Sequence, residues 1–367
     1  MFDRRFVTYF DWGLLGLIFI IGLIGLVTLY SAVTSATLTP QKTLYFKQMI
    51  WYCAGMTGMV LSFLVNYKSL YRWAPAIYVV CILLLIYVLM MGKYGGGARR
   101  WFVLGPISVQ PSELVKIAVI ISLARYYSKF SDTRGFTLRE LFTPLILTAI
   151  PFILIVKQPD LGTAMVVVLI AGFMTVFVKI ERRSLLCIVS ACTITGPLVW
   201  FLLKGYQKKR ILTFINPDRD PLGAGYHIIQ SKIAIGSGMI FGKGYLKGTQ
   251  KELSFLPEQH TDFIFSVFAE EWGFAGSVVM LFLFLMLIIW GLNIAYRCRD
   301  PFGTILAVGI TAMMFWQIFI NVGMAMGLMP IVGVTLPFIS YGGSSIVSIM
   351  ICVGLLMNIS MRRFLFE

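Results

Sequence analysis

The chain has 367 residues, of which 58% are apolar and 13% charged, with a mean hydropathy of +0.85. Soluble domains carry about 25% charged residues, so this composition excludes a soluble globular protein and indicates an all-α integral membrane protein. The net charge of +15 raises the question of nucleic acid. Many of the cations lie in loops between apolar runs, where membrane topology accounts for them, and no nucleic-acid partner is expected.

In chain order, residues 1–9 are short and basic, and the run after them is already long enough to span a bilayer, which takes about 20 apolar residues. No cleavable signal is expected. Apolar runs of spanning length fall at 11–30, 47–66, 73–91, 111–127, 141–157, 161–180, 184–203, 273–296, 302–328 and 343–361. They predict about ten transmembrane helices in a single polytopic unit, 1–367. An even number places both termini on one side. Loops on that side hold Arg4, Arg5, Lys68, Arg72, Arg125, Lys129, Arg182, Arg183, Arg297 and Arg299, among others. The opposing short loops hold only Lys42, Lys47, Lys93, Arg99, Arg100 and Lys157. The positive-inside rule then gives N-in, C-in. The long loop 204–262, before helix 8, is extracytoplasmic. The cysteines (Cys53, Cys81, Cys187, Cys192, Cys298 and Cys352) lie in or beside apolar runs without metal spacing. They read as small core residues. Two histidines, His227 and His260, are too few for a histidine metal site.

Three segments on the outer side are too irregular to be simple connectors. Residues 92–110 carry Gly95-Gly96-Gly97, Arg99-Arg100-Trp101 and Gly105-Pro106. Residues 327–345 carry Pro330, Gly333, Pro337 and the run Ser340-Tyr341-Gly342-Gly343-Ser344-Ser345. Loop 204–262 mixes Lys208-Lys209-Arg210, glycines and apolar stretches such as 228–235. Irregular backbone at membrane depth survives only against protein or a water-filled cavity, so the three are expected to build one outward-facing cavity.

Asp262 closes the longest polar region. It either caps the helix that follows or, partly desolvated, serves as a general base. Its company favours the second: Glu258, His260 and Thr261 precede it, and Glu270 and Glu271 follow about two turns on. The run from Phe263 to Ala295 exceeds a bilayer span, so its first part, to about Trp272, is expected to enter as a separate tilted or partly inserted segment that keeps these acids near the cavity. Glu113 and Lys116 share a helix face at i,i+3. They form either a structural ion pair or a pair in which Lys116 binds an anionic group oriented by Glu113. Asp160, in the short turn at 157–163, is either an N-cap or a second cavity acid. The basic clusters at Arg99, Arg100 and 208–210 attract lipid headgroups or hold a diphosphate, with phosphate favoured for Arg210. The 340–345 run, Ser340 first, is a glycine-rich turn or a place where backbone amides approach phosphate or sugar.

Several of these runs together resemble the SEDS family (shape, elongation, division and sporulation). They are Arg100-Trp101 with Gln110-Pro111-Ser112-Glu113-Leu114, the turn Gln158-Pro159-Asp160-Leu161-Gly162-Thr163, Leu256-Pro257-Glu258 with His260-Thr261-Asp262-Phe263-Ile264-Phe265, and the whole run from Gly327 to Ser345. The run from Lys247 to Glu258 is similar to the elongation branch more than to the division branch. The resemblance implies a ten-helix peptidoglycan glycosyltransferase of the bacterial inner membrane that polymerises lipid II on the outer face, with undecaprenyl diphosphate leaving. It also implies a class B penicillin-binding protein and the elongation machinery as partners. The family's essential aspartate corresponds to Asp262, and other cavity positions to Glu113, Lys116, Asp160 and Arg210. Arg100, Glu258, His260 and Ser340 complete the expected substrate-binding set. No cofactor is assigned, with a divalent cation (Mg or Mn) on the diphosphate left open. Two other classes compete: a lipid II flippase, and a non-catalytic scaffold for the penicillin-binding protein.

Overall fold

A computed structural model describes residues 10–34, 42–95, 98–104, 107–129, 135–202, 205–216, 223–249 and 260–362. Among these residues the chain forms twelve helices and one small sheet. Each of the ten expected apolar runs falls on a helix: α1 (Trp12–Thr34), α2 (Lys42–Leu64), α3 (Tyr67–Met91), α4 (Pro111–Lys129), α5 (Leu138–Lys157), α6 (Leu161–Phe177), α7 (Arg182–Leu202), α10 (Ile264–Arg297), α11 (Pro301–Ala325) and α12 (Gly343–Arg362). Loop 204–262 adds α8 (Gly205–Ile215) and α9 (Ala224–Ser237). By length and hydropathy α1, α3, α5, α10, α11 and α12 suffice on their own to cross a membrane. The protein is an all-α multi-span membrane protein.

Local chemistry sets the helix ends. Asn66, Asp160 and Asp300 cap α3, α6 and α11 with side-chain oxygens on backbone amides, and Pro301 supplies the first residue of α11, where a missing amide costs nothing. The Glu140 carboxylate accepts from the Thr137 amide at 2.7 Å to start α5. Helices α4, α11 and α12 form the core, buried on nearly all faces, while α3 and α5 leave most of their surface outward. Polar groups inside the bundle are satisfied by neighbouring elements, as a lipid surround demands. Asn358 of α12, for example, donates to the Val65 carbonyl at 2.7 Å and accepts from the Tyr67 amide at 3.3 Å, holding the reversal between α2 and α3.

Two departures from the sequence reading concern the outer segments. Within 92–110 the described residues form an antiparallel sheet, β1 (Lys93–Gly95), β2 (Ala98–Leu104) and β3 (Ile107–Val109), with Lys93 opposite Trp101 and Phe102 opposite Val109. The Gly95–Gly97 and Gly105-Pro106 turn residues flanking a Trp-Phe-Val-Leu run were the signal for it. In the long loop the apolar stretch at 228–235 is helix α9, packed on α10.

The expected break in α10 is present. Gly273 sits at φ 67°, ψ −164°, inside what is otherwise one long helix. Only glycine adopts that conformation without strain. The kink exposes main-chain groups, and the turn at 239–244 takes them up. Lys243 and Gly244 amides donate to the Glu270 and Glu271 carbonyls, both at 3.0 Å. The Phe274 and Ala275 amides donate to Met239 and Ile240 carbonyls at 2.8 and 2.9 Å. The first segment of α10 is thereby a separate buried piece that begins next to Asp262.

Candidate active site

Helix α4 contributes the first wall. Glu113 and Lys116 lie one turn apart, both buried, with Lys116 Nζ 2.7 Å from Glu113 Oε1. Ser348 of α12 donates to the other carboxylate oxygen at 3.1 Å. The ion pair thus exists, and both side chains also line a cavity.

The second wall is the α5–α6 turn. Asp160 caps α6, accepting from the Thr163 amide at 3.3 Å and its hydroxyl at 3.0 Å, and it also accepts from Gln110 Nε2 at 3.0 Å. Arg100 of β2 reaches the same turn, donating through Nε to the Gln158 carbonyl at 3.3 Å and through Nη2 to the Pro159 carbonyl. The sheet is therefore fastened to the turn that carries Asp160.

Asp262 stands on the third wall, half-buried. The N-cap position of α10 is Phe263, and no side chain caps it there. The backbone around Asp262 is gripped from both sides. Asn321 of α11, fully buried, donates one amide to the Asp262 carbonyl at 3.1 Å and to the Val334 carbonyl at 2.7 Å. Ser340 donates to the Thr261 carbonyl at 2.6 Å, and the Tyr341 amide donates to the His260 carbonyl at 2.9 Å. Gly333, at φ 72°, lies opposite the carboxylate, so that a Cβ there would come 3.4 Å from Asp262 Oδ2.

These walls enclose a cavity of about 440 Å³ lined by Arg100, Glu113, Lys116, Asp160 and Asp262, together with Trp51, Trp101, Gln110, Gln317, Thr335, Tyr341 and the Gly342–Ser345 turn. Residues from all three irregular segments reach it, as expected. Burial pushes the Tyr341 phenol above its ordinary value.

Some expectations are not met. Ser340 is buried, its hydroxyl committed to the Thr261 carbonyl and the Leu336 amide, and it is absent from the cavity lining. It positions the backbone of the Asp262 segment. His260 likewise lies behind the wall, its ring edge-on to Tyr341 at 5.9 Å. Glu270 and Glu271 face away from the cavity. Glu270 accepts from Lys243 Nζ at 2.7 Å and the Thr249 amide at 2.8 Å, and Glu271 accepts from Ser31. They secure the turn around the kink. Glu258 lies outside the described residues, as does the side chain of Arg210, whose backbone is in α8. Gln317 and Asn321 are the residues the sequence reading passed over. Two amides four residues apart inside a span are the sort of polar intrusion that marks a site. Among the described residues no three His, Cys, Asp or Glu side chains converge as metal ligands.

A family model described as cell cycle protein, FTSW_RODA_SPOVE, matches residues 11–364. The chain is 43% identical over 310 residues to the peptidoglycan glycosyltransferase MrdB of Escherichia coli K12, covering 84% of this chain and 83% of that protein. It is 34% identical to the peptidoglycan glycosyltransferase RodA of Treponema pallidum, covering 98% and 99%. Among solved structures, the rod shape determining protein RodA of Thermus thermophilus superposes with a TM-score of 0.71 at 30% identity, covering 97% of this chain and 98% of that one. A chain from a peptidoglycan synthase complex, described as coordinating polymerization and crosslinking, superposes with a TM-score of 0.82 at 32% identity over the same shares.

Proposed function

We propose, on the premise that the chain belongs to the FtsW/RodA/SpoVE family of cell cycle proteins, that Asp262 is the general base of its reaction. This is the SEDS family that the motifs resemble, and within it the chain is similar to RodA. The chain is a peptidoglycan glycosyltransferase and a multi-pass membrane protein. Its substrate is lipid II, bound at the outer face of the bacterial inner membrane during elongation.

What supports the reading is the setting of Asp262. It is off the N-cap position, half-buried, gripped through its backbone by Asn321 and by the 340–341 segment, and turned to a cavity that also holds Lys116 and Arg100. In glycosyl transfer the acceptor sugar hydroxyl gives its proton to Asp262 as its oxygen bonds to the donor's anomeric carbon. The bond from that carbon to the diphosphate oxygen breaks, and undecaprenyl diphosphate leaves with the electron pair. Attack opposite the leaving group inverts the anomeric centre. A positioned base contributes about 10²–10⁴-fold. Cations aimed at the departing charge act without reorganisation: Lys116, oriented by Glu113, and Arg100, joined by Arg210 from α8. Asp160, whose oxygens already accept three hydrogen bonds, shapes the wall. A class B penicillin-binding protein crosslinks the strands in complex with this chain, in keeping with the synthase complex it superposes on.

The deciding experiment is lipid II polymerisation by the purified chain with its penicillin-binding partner, wild type against Asp262→Asn. Asparagine keeps the shape and cannot take a proton. A folded, partner-binding variant that makes no glycan is the expected result. Normal polymerisation by it would remove Asp262 as base. No glycan from wild type would favour a flippase or a scaffold instead.

A further inference from the structure

At the end of the bundle away from the cavity, α3, α4 and α5 part around a crevice of about 220 Å³. Its floor is apolar, formed by Ala74, Pro75 and Val79 of α3 and Leu147 of α5. One stripe of α4 runs down its side: Ser122, Arg125 and Lys129, at i, i+3 and i+7, about 10 Å from first to last at 1.5 Å per residue. We propose that this crevice binds one anionic phospholipid, with an acyl chain along the floor and the phosphate on Arg125 and Lys129.

Three observations carry the assignment. Ser122 is only 8% exposed, yet its hydroxyl has no hydrogen-bond partner. A buried helical hydroxyl ordinarily returns to the carbonyl four residues back, as Thr148 does to Pro144 at 2.9 Å and Thr175 to Ala171 at 2.6 Å. Ser122 lines the crevice instead with its Oγ covered, an unmet hydroxyl just beneath the crevice surface. Second, among the described residues no carboxylate lines the crevice, and the ion pairs there engage Lys116 and Lys243, not Arg125 or Lys129. Third, Arg125 is held at the mouth. Its guanidinium stacks on the Tyr71 ring at 5.4 Å, which fixes a planar fork suited to phosphate oxygens. An anion matches this polarity and a zwitterionic headgroup matches it poorly.

The test uses the full-length chain in detergent and native mass spectrometry, with phosphatidylglycerol and phosphatidylcholine as competing probes. Wild type is expected to retain one phosphatidylglycerol in preference to phosphatidylcholine. Arg125→Gln/Lys129→Gln should lower that preference roughly 30-fold, the effect of two cations at an anionic headgroup. Val79→Trp keeps both charges and blocks the floor. Val79 is 53% exposed, so the larger ring is accommodated by the fold, and this variant should also lose the retained lipid. Melting in phosphatidylcholine confirms that each variant is folded. The proposal is overturned if wild type shows no preference. It is equally overturned if Val79→Trp retains the lipid while the neutralised variant loses it, because surface charge alone then explains the binding.

Discussion

Asn321→Leu isolates what holds the base in place. The side-chain amide donates to two main-chain carbonyls, that of half-buried Asp262 at 3.1 Å and that of buried Val334 at 2.7 Å, while its own oxygen has no partner. Leucine matches the volume and donates nothing, so the change removes two hydrogen bonds and leaves both carbonyls without that donor. Each such loss costs about 1–3 kcal/mol, or about 2–6 kcal/mol for the pair before relaxation. The lower figure already corresponds to a factor of roughly 30. Because the strained element is the junction between the Asp262 turn and the 333–345 segment, the cost falls on the geometry of the cavity. Lipid II polymerisation at saturating substrate should fall at least tenfold, with KM little changed, while the partner complex still forms on size exclusion. A folded Asn321→Leu protein that polymerises at the wild-type rate would refute the reasoning and leave the 340–341 clamp as the sole positioning device.

Lys116→Met removes one member of a buried pair and strands Glu113, which should cost about 3–5 kcal/mol of stability. The double variant Glu113→Gln/Lys116→Met should recover melting but not glycan synthesis, and recovery of both would make the pair purely structural. Gly273→Ala drives a Cβ into the Gly242 nitrogen at a backbone conformation reserved for glycine. It should lower the melting temperature and weaken activity together, at about 1–3 kcal/mol. Tyr341 gives a pH signature. Its phenol is raised above 10.0 by burial, so its contribution to stability is complete below that value and is lost as pH rises through the folded value. Melting of Tyr341→Phe should therefore lose less stability than wild type on the alkaline side.

Much of this protein can be read along the chain. Composition and run length alone require spanning helices, since a backbone in lipid must satisfy its own hydrogen bonds. The break near Trp272 follows from a run longer than a bilayer, and the structure puts it at Gly273. The gathering of Asp262, Glu113, Lys116, Asp160 and Arg100 at one cavity was legible because ionisable groups at a span's end have few tolerable destinations. Tertiary structure decided which of the polar groups face the cavity and which hold its walls. Ser340 and Glu270 have the composition of site residues, yet both are committed to neighbouring chain segments. Asn321 lies in a span and meets Asp262 across 59 residues of sequence, and Ser348 meets Glu113 across 235. Hydropathy cannot predict such pairings, because lipid and protein interior are equally apolar and a helix shows no preference between them along its sequence. Only the packed bundle determines which faces meet, and with them where each polar side chain finds its partner.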